Sequence, residues 1–181
     1  MRLGIALLMG LAVPAALAGT PLIAHDRMAA DPVLLNNPNP ASFQAYGVQP
    51  APKSVADDGV EGGRALKVPV TGSGDAWAAG VNVPIIKPIK AGDKIVIYYW
   101  ARLEGGTGSA SIASAQLQLA SAPYTRIFGE GATITPQWKL YQVSGTADAA
   151  YPKGTLNAAF HLNTGNHVVV LGAIAVLNQG Q

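Results

Sequence analysis

Tyr98, Trp100 and Arg102 stand at i, i+2 and i+4, a spacing that places all three on one side of an extended chain. Gln116 with Gln118, and Asn157 with His161, keep the same phase on two further segments. These residue types suit a sugar. An aromatic ring stacks on the flat C–H face of a pyranose, while amides, a guanidinium and an imidazole satisfy its rim of hydroxyls. Each also has a plainer reading. Trp100 and Tyr98 could be covered by the proline-rich N-terminal segment, Gln116 and Gln118 could be the polar phase of a surface strand, and His161 could be an ordinary surface residue. The group gains weight only collectively, because all seven must fall on one sheet.

Catalytic constellations are scarce. There is no cysteine and no Gly-x-Ser-x-Gly elbow. His25, His161 and His167 lie in unrelated contexts without metal-binding pair spacing. A glycosidase needs two carboxyl groups facing one bond. Glu61 and Glu104 adjoin Gly-Gly pairs and Glu130 sits between two glycines, so all three read as solvated turns. Asp57, Asp58, Asp75 and Asp93 fall in turn-like stretches, where carboxylates bond local backbone. A structural calcium ion built from such loop oxygens is a better use of them than a catalytic pair, but no ligand spacing identifies one. No catalytic residue, metal site or cofactor is expected.

The elements that must carry these side chains are strands. Residues 19–63 are rich in proline, glycine and asparagine, which forbids a long helix or a central strand. They read as an extended lead-in with short edge strands, around Phe43–Val48. From Arg64 onward, short apolar runs recur between turn residues. The runs are Ala65–Val70, Trp77–Val83, Lys94–Leu103, Ser111–Leu119, Tyr124–Phe128, Trp138–Gly145, Thr155–Leu162 and Val168–Leu177. No window carries a sustained helical stripe. Strands without intervening helices predict an all-β protein, an antiparallel sandwich or barrel. Leu117 and Leu119 alternate with Gln116 and Gln118, and Leu156, Ala158, Phe160 and Leu162 alternate with Asn157, Ala159 and His161. Each strand therefore has one buried and one wet face. In Ile95–Arg102 the second face is aromatic and ends in a charge.

Composition narrows the class further. The 181 residues are 49% hydrophobic and 12% charged, too apolar for a disordered chain and too weakly charged for a coiled coil. A net charge of +2 from scattered basic residues leaves no footprint for nucleic acid. Met1-Arg2, the apolar run Leu3–Ala15 and Ala16-Leu17-Ala18 read as a signal peptide cleaved after Ala18. The run is short for a membrane span and Pro14 interrupts it. Export to the periplasm or the extracellular space follows, with no disulfide available.

The stretch Lys87–Arg102, with Lys90-Ala-Gly-Asp93 leading into Tyr98-Tyr-Trp-Ala-Arg102, resembles a strand of the carbohydrate-binding modules of families 4/9 and 22. Ala122-Pro-Tyr-Thr125 and Ile134-Thr-Pro-Gln-Trp-Lys-Leu-Tyr-Gln-Val143 are similar to a second signature of that group. Leu156–Leu162 and Val168–Leu177 resemble its last two strands, so the likeness spans residues 64–178. It implies a galactose-binding-like β-sandwich of jelly-roll type, often attached to glycan-degrading enzymes, with sugar held in a sheet-face cleft. By this resemblance Trp138 is structural, Trp100 and Arg102 belong to the cleft region, and Gln116, Gln118 and Tyr124 match the next polar strand and its loop. Members commonly hold a calcium ion through an aspartate near the last strand. Leu171-Gly-Ala-Ile174 offers no carboxylate there.

The expected protein is an exported antiparallel β-sandwich of jelly-roll type, residues 64–181 joined by 19–63. It binds a neutral polysaccharide without catalysis through Tyr98, Trp100, Arg102, Gln116, Gln118, Tyr124, Asn157 and His161, with a separate glycan-degrading enzyme as a possible partner. The alternatives are a lyase or hydrolase on the same fold and an envelope adhesion module with an apolar docking face.

Overall fold

Between Arg64 and the C-terminus each apolar run becomes a strand, and the lead-in adds three short ones. The computed structural model describes residues 31–105 and 108–181; the signal-peptide segment and His25 lie outside them. The strands are β1 (Val33–Leu34), β2 (Gln44–Tyr46), β3 (Ser54–Ala56), β4 (Arg64–Thr71), β5 (Gly80–Pro84), β6 (Lys94–Leu103), β7 (Ala110–Leu119), β8 (Arg126–Ile134), β9 (Lys139–Thr146), β10 (Leu156–His161) and β11 (Asn166–Asn178). No α-helix occurs among the described residues; Pro40–Ser42 forms one turn of 3₁₀ helix, capped by the Asn39 side chain.

Two antiparallel sheets result. The first runs β3-β4-β11-β6-β9, with β1 also paired to β11, and the second runs β2-β5-β10-β7-β8. The pairings are nested: β4 meets β11, β5 meets β10, β6 meets β9 and β7 meets β8. Nested pairs rolled across two sheets make a jelly roll. The lead-in is stitched in at the margins, with β3 and β2 as edge strands and β1 beside β11.

Period-two alternation builds the core. Ile95, Ile97, Tyr99 and Ala101 of β6 face Leu117, Leu156, Ala158 and Phe160 of the second sheet within one buried cluster. The Tyr99 ring stacks on Tyr141 at 5.3 Å and meets Phe160 edge-on at 5.0 Å and 75°, both favoured aromatic geometries. Burial pushes the Tyr99 hydroxyl well above the ordinary tyrosine range, with Tyr141 and Glu130 adding to it.

Three local expectations are corrected. The strand expected from Trp77 begins at Gly80, because Ala78 N–H donates to the Asp75 carbonyl and turns the chain at Trp77. The strand expected from Tyr124 begins at Arg126; Tyr124 has φ 54° and closes a turn onto the Ser121 carbonyl at 2.8 Å. Glu130 lies within β8, not in a turn. Its glycine neighbours serve the sheet: a Cβ on Gly129 would stand 2.3 Å from the Gln116 Cβ.

Phe160 is fully buried at the meeting of the two sheets. Phe160→Ala is expected to cost about 3–5 kcal/mol, read as a lowered midpoint in urea unfolding.

Candidate functional site

Outward-facing residues of the second sheet line up in rows across the strands. Tyr46, Gly80, His161 and Ser114 form one row, and Gln44, Asn82, Ala159, Gln116 and Gly129 the next. Pro84, Asn157, Gln118 and Arg126 form the third. The middle row is low. Gly129 has no side chain, and Ala159 is fully buried between its neighbours. Gly80 is required beneath Tyr46, since a Cβ there would meet the Phe160 carbonyl at 2.0 Å and the Tyr46 hydroxyl at 2.7 Å.

A cleft of about 670 Å³ opens over these rows. Trp77 and Ala78, ahead of β5, rise beyond the first row, and Pro123 and Tyr124, after β7, beyond the third. Both rings are presented to solvent, Trp77 at 61% and Tyr124 at 57% exposure. Two loops thus set aromatic walls at opposite strand ends, with Asn82, Gln116 and Gln118 between them. The lining strands β2, β5, β10 and β7 span three strand spacings, about 14 Å across the sheet.

The floor is polar but bonded to itself. Ser114 Oγ donates to Gln116 Oε1 at 2.7 Å, and Gln116 Nε2 donates to Gln118 Oε1 at 2.5 Å. All three residues are buried, which corrects the expectation of a wet strand face: amides on one strand satisfy each other and need little water. Asn82 Oδ1 is buried without a donor. Burial holds His161 below the usual imidazole range and lifts the Tyr46 hydroxyl to about 12. Among the described residues no Asp, Glu, Lys or Arg lines the cleft, and exposed Arg126 stands beside Gln118 on the same face.

The structure divides the sequence-predicted site between the two sheets. Gln116, Gln118, His161 and Tyr124 come together in the cleft; Asn157 shares the face but not the lining. Tyr98, Trp100 and Arg102 sit on β6, on the outer face of the other sheet. The loop before β4 covers two of them. Trp100 Nε1 donates to Glu61 Oε2 at 3.2 Å, Arg102 pairs with Asp57 at 3.3 Å, and the Arg102 guanidinium lies 5.1 Å from the Trp138 ring centre. Val60 tucks against Gly172 beside Trp100. Tyr98 remains half-buried on that face, between Gln142 and Ala175. The single-sheet requirement fails for these three because consecutive jelly-roll strands cross from one sheet to the other.

Tyr46, Trp77, Asn82 and Pro123 were missed. Val81-Asn82-Val83 alternates and could have flagged Asn82, and a lone Trp77 amid Gly, Ser, Asp and Ala is a signal of an exposed ring. Among the described residues no three His, Asp or Glu side chains converge to hold a metal. Asp93 is spent on the Lys90 N–H and the Asn178 amide.

No family model matches the chain, and no curated protein matches it. Solved structures do share its β-sandwich fold, among them carbohydrate-binding modules of families 4 and 22. The second N-terminal cellulose-binding domain of Cellulomonas fimi β-1,4-glucanase C is 20% identical, with a TM-score of 0.61 over 83% of this chain and 97% of that one. The CBM22-1 xylan-binding domain of Paenibacillus barcinonensis Xyn10C is 14% identical, with a TM-score of 0.57 over 84% and 97%. A family 4 module is 21% identical, with a TM-score of 0.55 over 77% and 96%.

Two perturbed cleft groups contribute to the pH dependence of stability, in the same directions as His167 and Tyr99 elsewhere in the fold. His161 protonates in the unfolded chain near 6.5 but only at lower pH when folded, so stability falls as pH drops below 6.5 toward the folded value. Tyr46 ionises near 10 unfolded and about 12 folded, so stability falls again across that interval. Thermal melts from pH 4 to 12, with an NMR titration of the His161 ring, are expected to show both limbs; a His161 midpoint at or above 6.5 contradicts the first.

Proposed function

We propose that this protein is an exported, non-catalytic carbohydrate-binding protein that holds an extended neutral glycan in the cleft of the second sheet. The observation that carries this reading is the pair of exposed rings, Trp77 and Tyr124, at opposite ends of a polar floor. Stacking on both rings would grip the chain from two sides, while the floor amides meet its hydroxyls. A lining free of charged side chains favours a neutral ligand. The fold supports the reading, and two of the similar structures are named for cellulose and xylan binding.

Binding without turnover is favoured over a lyase or hydrolase by the lining itself, which among the described residues offers no carboxylate to pair with His161 or Tyr124. Charge-free walls suit recognition, whereas bond cleavage needs a placed acid and base. Export rests on the segment ending Ala16-Leu17-Ala18, and no helix among the described residues is long and apolar enough to cross a membrane. A partner enzyme would supply the chemistry on the same glycan.

Trp77→Ala and Tyr124→Ala are each expected to weaken binding of cellohexaose or xylohexaose about tenfold, the loss of one stacked ring, with little change in melting temperature. Trp100→Ala is expected to lower the melting temperature and leave affinity intact. Isothermal titration with parallel melts separates the two faces. The reverse pattern moves the site to the first sheet.

Protein recovered after export is expected to begin at Gly19. N-terminal sequencing that finds Met1 on exported protein contradicts the signal reading.

A further inference from the structure

The loop between β4 and β5, residues 72–79, carries Trp77 and has little packing to hold it. Gly72, Ser73, Gly74 and Asp75 are all exposed and bring no apolar side chain. The two glycines have φ of 72° and 81°, and glycine is the residue with the most backbone freedom to lose. The loop nevertheless finds an anchor in Asn163, a buried residue of the connection between β10 and β11. Asn163 Oδ1 accepts from the Gly72 N–H at 2.8 Å. Its Nδ2 donates to the Ser73 carbonyl at 2.7 Å and the Asp75 carbonyl at 3.1 Å. A backbone N–H only donates and a backbone carbonyl only accepts, so these partners fix which end of the amide is which. The main chain continues the seam: Asn163 N–H donates to the Ala76 carbonyl and Leu162 N–H to the Ala79 carbonyl. Bonded positions thus bracket Trp77 on both sides.

We propose that Asn163 is a positioning residue that holds the Trp77 ring at its place on the cleft. It does not line the cleft and acts through the backbone of the loop. The inference rests on the glycan reading and deepens it: Trp77 meets the sugar as a platform already set during folding, so its stacking is not spent on ordering a glycine-rich loop. The role demands an acceptor and two donors on one short side chain, which an asparagine supplies. Asn163→Asp keeps the shape and the Gly72 bond but turns an acceptor oxygen toward the Ser73 and Asp75 carbonyls.

The test uses the whole protein, Asn163→Asp, Trp77→Ala and the double variant, with affinity for xylohexaose and cellohexaose read by NMR titration. Trp77→Ala assigns the Trp77 indole N–H signal. Asn163→Asp is expected to move or broaden that signal before any sugar is added, to leave the Tyr124 ring signals in place, and to weaken binding about tenfold, as loss of the stacked ring does. In the Trp77→Ala background the same change is expected to cost almost nothing, because the ring it positions is gone. Unaltered affinity, or an equal loss with and without Trp77, overturns the proposal. Hydrogen exchange on the unmodified protein tests it even where the variant does not fold: the Gly72 amide is expected to exchange much more slowly than that of Gly74, and equal rates overturn the anchor. Failure of the unmodified protein to bind either sugar overturns the glycan reading instead, while the indole signal and the Gly72 amide still report on the loop.

Discussion

Once Phe160 and Tyr99 meet across the interior, 5.0 Å apart, the phase of the strands that carry them is no longer free. Side chains on a strand alternate faces, so a slip of one residue on β10 would drive Asn157 and His161 inward and expel Leu156, Ala158 and Phe160. That exchange leaves polar groups buried without partners, at a cost of some 1–3 kcal/mol each. β7 is bound by the same logic, since Ala115 and Leu117 join Phe160 and Ala158 in the core. The order of residues on the cleft floor is thus a consequence of core packing. No residue of the floor needs to stabilise the sheet for the floor to exist.

Phase was legible in the sequence; sheet membership was not. Alternation is a local property, and the inward and outward sides of β6, β7 and β10 followed from it. Which strands become neighbours depends on pairings distant along the chain. β6 and β7 adjoin in sequence, yet β6 pairs with β9 and β11 while β7 pairs with β8 and β10. Trp100 and Gln116, both correctly pointed outward, therefore ended on opposite sides of the molecule. Trp77 was hidden for a different reason: its apolar neighbours extended a run that the Asp75 turn cuts short. Tyr124 was reached through resemblance, and no periodicity could have found a residue in a turn.

Two aromatic faces of one molecule met different fates, and the difference lies in how each ring is presented. Trp100 stands mid-strand, where the 57–63 loop can fold over it and the acids of that loop find Trp100 and Arg102 as partners. Arg102 over Trp138 adds a cation–π contact to the same cluster. Trp77 and Tyr124 stand on turns beyond the strand ends, with no loop among the described residues closing over them. An isolated exposed ring is unremarkable. Two lining the same cleft over a self-bonded polar floor are a different matter, because the apolar area they hold in water is recovered only when something fills that cleft.

The division between floor and walls also bears on the cost of binding. Association loses affinity to every side chain that must be ordered when the ligand arrives. Gln116 and Gln118 would be costly in that respect, as long and rotamer-rich amides. Held by Ser114 and by each other, and packed over Ala159 and against Gly129, they have already lost that freedom during folding. The glycines at 129 and 80 enter here too, since only a missing side chain lets Gln116 and Tyr46 settle so closely on the sheet. The entropy of ordering the floor is charged to a fold whose core readily offsets it, and the stacking energy of the walls is left to hold the ligand.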